Sequence, residues 1–148
     1  MPHVDRSYIR VKSMVALLNP ANDHVAVALF DDPTKSPRHF HRLVGGSVLL
    51  GEKAADAARR EVREEIGIDL LDLGAALGVL ENVFDYRGEA GHEVVFVFAA
   101  CVDESIIPGH GGWFSDNGDR MWVEWRSLTS PPPIPLYPDG AADLVVRG

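Results

Sequence analysis

The sequence lacks the features that mark disulfide-stabilised or nucleic-acid-binding proteins. Its single cysteine, Cys101, has no partner with which to build a disulfide framework. Lysine and arginine together number 14 against 22 aspartates and glutamates, which gives a formal net charge of −8. This balance excludes a general affinity for nucleic acid, because the phosphate backbone is bound chiefly through clustered basic side chains. An anionic substrate would need local compensation, such as bound cations.

Long apolar runs are also scarce. Residues 14–18 are apolar, but this run is too short for a membrane span or for the apolar part of a signal peptide, and Asp5 stands where a signal peptide should be basic. We therefore expect a cytoplasmic protein without membrane association. Cys101 lies in the apolar run VVFVFAACV, which favours a buried structural thiol.

The residues that are present suit one packed domain over residues 1–148. The hydrophobic share is 46% of the 148 residues, enough for a packed core. We find no internal repeat, no coiled-coil heptads and no shift in composition that would mark a second domain. The expected fold class is therefore α/β.

The apolar pattern predicts several strands around one helix. Residues 8–18 and 24–30 suggest an opening hairpin, 31–42 a basic loop, and 42–44 a short strand. Residues 53–66 carry apolar side chains at helical spacing, and Gly67 is a natural stop. Segments 76–86 and 92–102 predict a second hairpin, 107–119 a mobile surface loop, 121–125 a last strand and 141–146 a helical turn. The apolar run 92–102 indicates a strand covered on both faces, and therefore a sheet between helices.

Three carboxylates gather in the last turns of the predicted helix. At about 100° per residue, Glu61, Glu64 and Glu65 occupy roughly a third of the circumference, beside the apolar stripe. An ordinary solvated face offset by the neighbouring arginines would produce a similar pattern. However, the helix dipole disfavours negative charge at this end by about 0.3–1 kcal/mol per group. The three carboxylates also repel each other, and a divalent cation would relieve that repulsion.

The spacing of this stretch resembles the Nudix box. Gly46, five residues, Glu52 and seven more residues lead into the run Arg60-Glu61-Val62-Arg63-Glu64-Glu65-Ile66-Gly67-Ile68, so every fixed position of the motif is present. The resemblance covers residues 46–68 and implies an α/β/α sandwich with a mixed β-sheet. It also implies a hydrolase that uses Mg²⁺ or Mn²⁺ to cleave a nucleoside diphosphate, or another organic diphosphate, linked to a further moiety.

The resemblance implies roles for individual residues of the box. Glu61 and Glu64 would be catalytic, with Glu61 preferred as the base that activates water, and Arg60 would orient and charge-balance the catalytic glutamate. Glu52 would either bind metal or anchor the loop on the helix. The implied metal ligands are the carbonyl of Gly46 together with Glu61, Glu64, Glu65 and Glu52. The box departs from common patterns at Val44, Leu49 and Leu50, so it does not carry over the substrate of any one subfamily.

Further candidates lie outside the box. By the same resemblance, Glu93 is the preferred distant acid to complete a metal shell, with Asp119 and Glu124 as alternatives. The basic loop offers Arg38 and Arg42 for the phosphates of a substrate. Phe84 is the preferred aromatic residue for stacking on a base, and the other aromatic candidates are Tyr86, Trp113, Phe114, Trp122 and Trp125.

These observations predict a magnesium-dependent or manganese-dependent hydrolase that acts by water attack on the diphosphate linkage of a small-molecule nucleotide. Phosphoric anhydride hydrolysis needs neutralised phosphoryl oxygens, a positioned water and a base. Two alternatives stay open, a hydrolase of a non-nucleotide diphosphate and a non-catalytic nucleotide-sensing module. A homodimer formed through an edge strand is also open.

Overall fold

The computed structural model describes residues 7–116 and 118–147 and shows a mixed sheet with one helix on each side. Its elements, in chain order, are β1 Arg10–Leu18, β2 His24–Asp31, β3 His39–Ser47, α1 Ala54–Glu65, β4 Gly78–Tyr86, β5 Glu89–Cys101, a 3₁₀ turn Glu104–Ile106, β6 Gly112–Asp116, β7 Asp119–Ser127, β8 Leu136–Tyr137 and α2 Ala141–Arg147. No helix in these described ranges is long and apolar enough to cross a membrane.

The strands are ordered β4-β5-β1-β3-β2-β7-β6, and β8 pairs with β3. Strand β1 lies between β5 and β3, parallel to β5 and antiparallel to β3. The predicted hairpin of β4 and β5 is present. The predicted opening hairpin is reduced to the pair Leu18↔Val25, because β1 diverges from β2 to pair with β3 and β5.

Two apolar clusters lie on opposite faces of the sheet, as expected for an α/β/α sandwich. One packs Val15, Leu17 and Val44 against Val62 of α1. The other packs strand residues against α2 and includes Met14, Val25, Val27, Val97, Ala141 and Val145. The sheet therefore lies between helices, as the apolar run of β5 predicts.

Three sequence expectations are wrong in detail. Strand β3 begins at His39 rather than at residue 42, because Phe40 and its neighbours pair with β2 and shorten the basic loop. The predicted mobile loop at 107–119 contains β6, which pairs with β7. Cys101 is exposed, not buried, because it is the last residue of β5.

Candidate active site

Two glutamates of α1 line a cavity of about 700 Å³. Glu61 and Glu65 are one turn apart, and they are only 8% and 7% exposed. Burial, a hydrogen bond to Glu61 and the nearby Asp116 raise the pKa of Glu65 well above its usual range. The two carboxyl groups therefore retain a proton between them, unless a bound cation takes the place of that proton.

Gly46 makes room for the first of these glutamates. A β-carbon at position 46 would overlap the Glu61 carboxylate, with both oxygens at 2.5 Å. Strand β3 presents Gly46 opposite Ser13 of β1, and the Ser13 hydroxyl donates to the carbonyl oxygen of Ala54 at 2.6 Å. The first turn of α1 is thereby fixed to the sheet, and the glycine lets the helix carboxylate lie on the strand.

Arg60 joins the glycine turn to the acids of the helix. Its Nε and Nη2 donate to the two carboxylate oxygens of Glu52 at 2.9 and 3.0 Å, and Nη2 also donates to the Ser47 carbonyl oxygen at 2.9 Å. Its Nη1 donates to Glu61 at 3.0 Å and to Glu64 at 3.3 Å. The hydrogen bonds to Glu52 raise the pKa of Arg60, so its charge is permanent. Glu52 anchors the turn on the helix through this contact.

Three of the basic side chains that line the cavity meet the carboxylate of Glu93. They are Arg10, Lys12 and Arg42. Glu93 is 2% exposed, and these cations are its ion-pair partners. Burial and the charge of Arg42 lower the pKa of Lys12 to about 8.

An aromatic cluster forms the apolar part of the cavity wall. The rings of Phe30 and Phe40 stack with centroids 5.6 Å apart, and Tyr86 and Tyr137 approach Phe40 edge-on at 6.0 and 5.3 Å. Phe84 also lines the cavity, and its ring lies over Gly91 of the paired strand. Planar apolar surfaces of this kind suit a nucleobase.

A buried polar network holds the segment that carries Tyr137. His41 Nε2 lies 2.7 Å from a Glu124 oxygen, and Arg126 Nη1 lies 3.0 Å from His41 Nδ1. Arg126 also donates to the carbonyl oxygen of Ile134 at 2.9 Å. These contacts fix the chain before β8, and β8 in turn places Tyr137 against Phe40.

The structure brings some of the predicted site residues together and separates others. Those that line the cavity are Gly46, Arg60, Glu61, Glu65, Arg42, Phe84, Tyr86 and Asp119. Glu64 is exposed and pairs with Arg60, while Arg38 pairs with Asp31 through bonds of 2.6 and 2.7 Å. Glu93 is held by basic side chains. Glu124 is held by His41 and Trp122. The tryptophans lie away from the cavity lining.

Sequence reasoning missed several residues of the cavity wall: Arg10, Lys12, Phe30, Phe40, Asp116 and Tyr137. Lys12 had a usable signal, since a lysine interrupts the apolar strand RVKSMVALL. Asp116 had none, because its strand β6 was not predicted. Burial raises the pKa of Asp116, consistent with its position in the cavity.

The chemistry of the glutamate pair fits a divalent cation in part. Among the described residues, no three His, Cys, Asp or Glu side chains are gathered so that they could hold a metal ion. Mg²⁺, however, commonly takes one or two carboxylates and completes its shell with water and substrate phosphates. Glu61 and Glu65 offer two buried, adjacent carboxyl groups that open into a cavity. These two residues fit such an ion, while Glu64, which is exposed and bonded to the same Arg60 nitrogen as Glu61, stays a predicted ligand.

The comparisons with known proteins agree with the fold and the box. The NUDIX domain family matches residues 10–143. The solved structures similar to this chain include a MutT NUDIX hydrolase from Burkholderia pseudomallei, at 23% identity, a TM-score of 0.64 and coverage of 95% of this chain and 98% of that one. A MutT protein from Methanosarcina mazei Go1 aligns at 17% identity and a TM-score of 0.62, covering 98% of this chain and 95% of its own.

A third similar structure is the E. coli dihydroneopterin triphosphate pyrophosphohydrolase, at 20% identity and a TM-score of 0.56, with coverage of 80% of this chain and 81% of that one. A search of curated proteins gives no match. The family match spans most of the chain, so the chain belongs to the Nudix family. It is an enzyme of the Nudix pyrophosphohydrolase type.

Proposed function

We propose that the enzyme hydrolyses the diphosphate linkage of a nucleoside diphosphate derivative, with Mg²⁺ or Mn²⁺ at Glu61 and Glu65. One observation carries the proposal: a single cavity joins this buried carboxylate pair to an aromatic cluster, with basic side chains along the same wall. A diphosphate group attached to a planar base has the matching charge and shape.

Glu61 is the proposed base. Arg60 donates to one of its oxygens at 3.0 Å, which fixes the orientation of the carboxylate. A water oxygen attacks phosphorus, the bridging phosphorus–oxygen bond breaks, and the water proton passes to Glu61. The leaving phosphate takes the electron pair of the broken bond. A bound cation would neutralise charge on the phosphoryl oxygens and lower the pKa of water.

Two of the other predicted residues have supporting roles in this proposal. Arg42 lies in the cavity wall and would bind a phosphate group of the substrate, while Phe84 would contact the nucleobase. Arg38 does not belong to the proposed site, since its guanidinium is bound to Asp31 outside the cavity. The carbonyl of Gly46 stays the proposed backbone ligand, because the Glu61 carboxylate packs on this residue.

A panel of diphosphate compounds tests the proposal. It comprises a nucleotide sugar such as ADP-ribose, a dinucleoside polyphosphate, a nucleoside triphosphate and an alkyl diphosphate, each incubated with Mg²⁺ and then with excess chelator. We expect product release from at least one nucleotide, and its loss with chelator. Release from the alkyl diphosphate alone would favour the non-nucleotide hydrolase. Saturable nucleotide binding without any turnover would instead favour the sensing module.

A further inference from the structure

Two strands deliver three basic side chains to one buried carboxylate on a third strand. The Glu93 carboxylate lies 3.2 Å from Arg42 Nη2, 3.9 Å from Lys12 Nζ and 4.0 Å from Arg10 Nη1. Arg10 and Lys12 belong to β1, Glu93 is opposite Arg10 on β5, and Arg42 comes from β3. The pairing of these strands therefore brings the four residues together, and the order of residues along the chain does not reveal their proximity.

The charges of this group do not balance. Three cations share one carboxylate, and among residues 7–116 and 118–147 no other carboxylate comes within ion-pair distance of them. Glu93 is not part of the cavity lining, whereas all three cations are. Their side chains are only 18%, 12% and 24% exposed, so water screens them weakly. The positive charge of the three cations is thus directed at the cavity, where the carboxyl groups of Glu61, Glu65 and Asp116 interact electrostatically with Lys12.

The three cations have neighbours at both ends of the cavity. Arg42 Cζ lies 6.0 Å from the centroid of Phe30, a member of the aromatic cluster. Lys12 precedes Ser13, which is paired with Gly46, the residue on which Glu61 packs. The cations therefore lie between the aromatic cluster and the glutamate pair.

We propose that Arg10, Lys12 and Arg42 form an anion subsite, with Glu93 as their shared counter-ion, which binds the substrate phosphate nearer the aromatic cluster. The assignment of a substrate phosphate rests on the function proposed above, but the affinity of the subsite for an anion does not. Charge-assisted bonds from guanidinium and ammonium groups to phosphate are strong where solvent is excluded.

Glu93 is a positioning residue in this proposal. Without a counter-ion, three like charges on neighbouring strands would repel each other and spread apart. With it, they are held close before any substrate arrives, which reduces the ordering cost of binding. Its oxygens already face cations, and this environment differs from that of a metal-binding carboxylate.

Inorganic pyrophosphate, titrated calorimetrically into the full chain with excess chelator, tests the subsite without any turnover. The variants are Arg42→Met, Arg42→Lys, Lys12→Met and the control Arg38→Met, which removes a cation paired with Asp31 outside the cavity. We expect Arg42→Met and Lys12→Met each to weaken binding by about tenfold or more. Arg42→Lys should retain most of the affinity, and Arg38→Met should stay within about twofold of the parent.

The proposal is overturned if the folded parent shows no saturable binding at millimolar pyrophosphate. It is also overturned if Arg42→Met and Lys12→Met bind like the parent, or if Arg38→Met loses as much affinity as they do. Circular dichroism of each variant identifies misfolding, and the two separate cation variants keep the test decisive if one is unfolded. Pyrophosphate binding with no hydrolysis of any compound in the panel would support the subsite and contradict the proposed function.

Discussion

The carboxylate of Glu61 lies against the backbone of Gly46, in space that a β-carbon would occupy. Gly46→Ala should therefore displace the proposed base and lower kcat by about a hundredfold or more. Gly74→Ala is the matched control, since a β-carbon there meets nothing within 4 Å. Steady-state kinetics on the substrate found with the panel would measure both. A Gly46→Ala rate within about threefold of the parent would contradict this packing argument.

Arg60 and Glu52 make a two-bond contact that ties the glycine turn to α1. Glu52→Gln weakens this contact and should lower the midpoint of unfolding in urea titration, because two charge-assisted hydrogen bonds become weaker. Asp69→Asn removes an exposed pair with Arg63 and should cost less than about 1 kcal/mol. Equal losses in the two variants would show that Glu52 is not an anchor.

Metal binding should depend on the cavity glutamates and not on Glu93. We expect Glu61→Gln and Glu65→Gln each to weaken Mn²⁺ binding by about tenfold or more, measured by electron paramagnetic resonance of free Mn²⁺. Glu93→Gln should leave the Mn²⁺ affinity within about threefold of the parent, because its carboxylate faces Arg10, Lys12 and Arg42. Loss of Mn²⁺ binding in Glu93→Gln would support the sequence hypothesis that Glu93 is a metal ligand.

The aromatic cluster should act on substrate affinity. Phe40→Leu removes a ring that contacts Phe30, Tyr86 and Tyr137, and it should raise KM for a nucleotide by about tenfold with a smaller change in kcat. Trp113→Leu is the control, because Trp113 is exposed and outside the cavity. An unchanged KM in Phe40→Leu would mean that the nucleobase of the substrate does not bind at the aromatic cluster.

The buried His41 should make stability depend on pH. Burial lowers its pKa, and Arg126 Nη1 lies within hydrogen-bonding distance of Nδ1, which can accept only if that nitrogen is unprotonated. The unfolded state therefore takes up the proton first, and the free energy of unfolding should fall as pH decreases below about 6.5. Urea titrations of the parent and His41→Gln between about pH 7 and 5.5 would show this, with a flatter profile for the variant. Parallel pH profiles of the parent and His41→Gln would contradict the assignment of this pH dependence to His41.

The sequence predicted those parts of the fold that local patterns specify. The helix was expected at 53–66 and runs over Ala54–Glu65, because its apolar spacing and the following glycine are both local signals. Strand β6 was missed, since GWFSD is short, lies among glycines and is stabilised by pairing with β7. The position of Cys101 was misjudged because an apolar neighbourhood does not determine which side of a terminal strand residue faces solvent.

The site was predictable only where it is contiguous in sequence. Fixed spacing identified Gly46, Glu61 and Glu65, which meet across one turn and one helix. The same spacing could not show that Glu64 is exposed and pairs with Arg60. The three cations around Glu93 come from β1 and β3, so only the sheet register reveals them.

The central claim is that Glu61 and Glu65 form the metal-dependent hydrolytic centre. The most direct measurement is the initial rate of product release with Mg²⁺ for the parent, Glu61→Gln and Asp56→Asn, a control on the same helix whose acid pairs with Arg59 near the surface. We predict a fall of roughly 10²–10⁴-fold for Glu61→Gln and an unchanged rate for Asp56→Asn. A folded Glu61→Gln enzyme that retains a rate within about threefold of the parent would contradict the account.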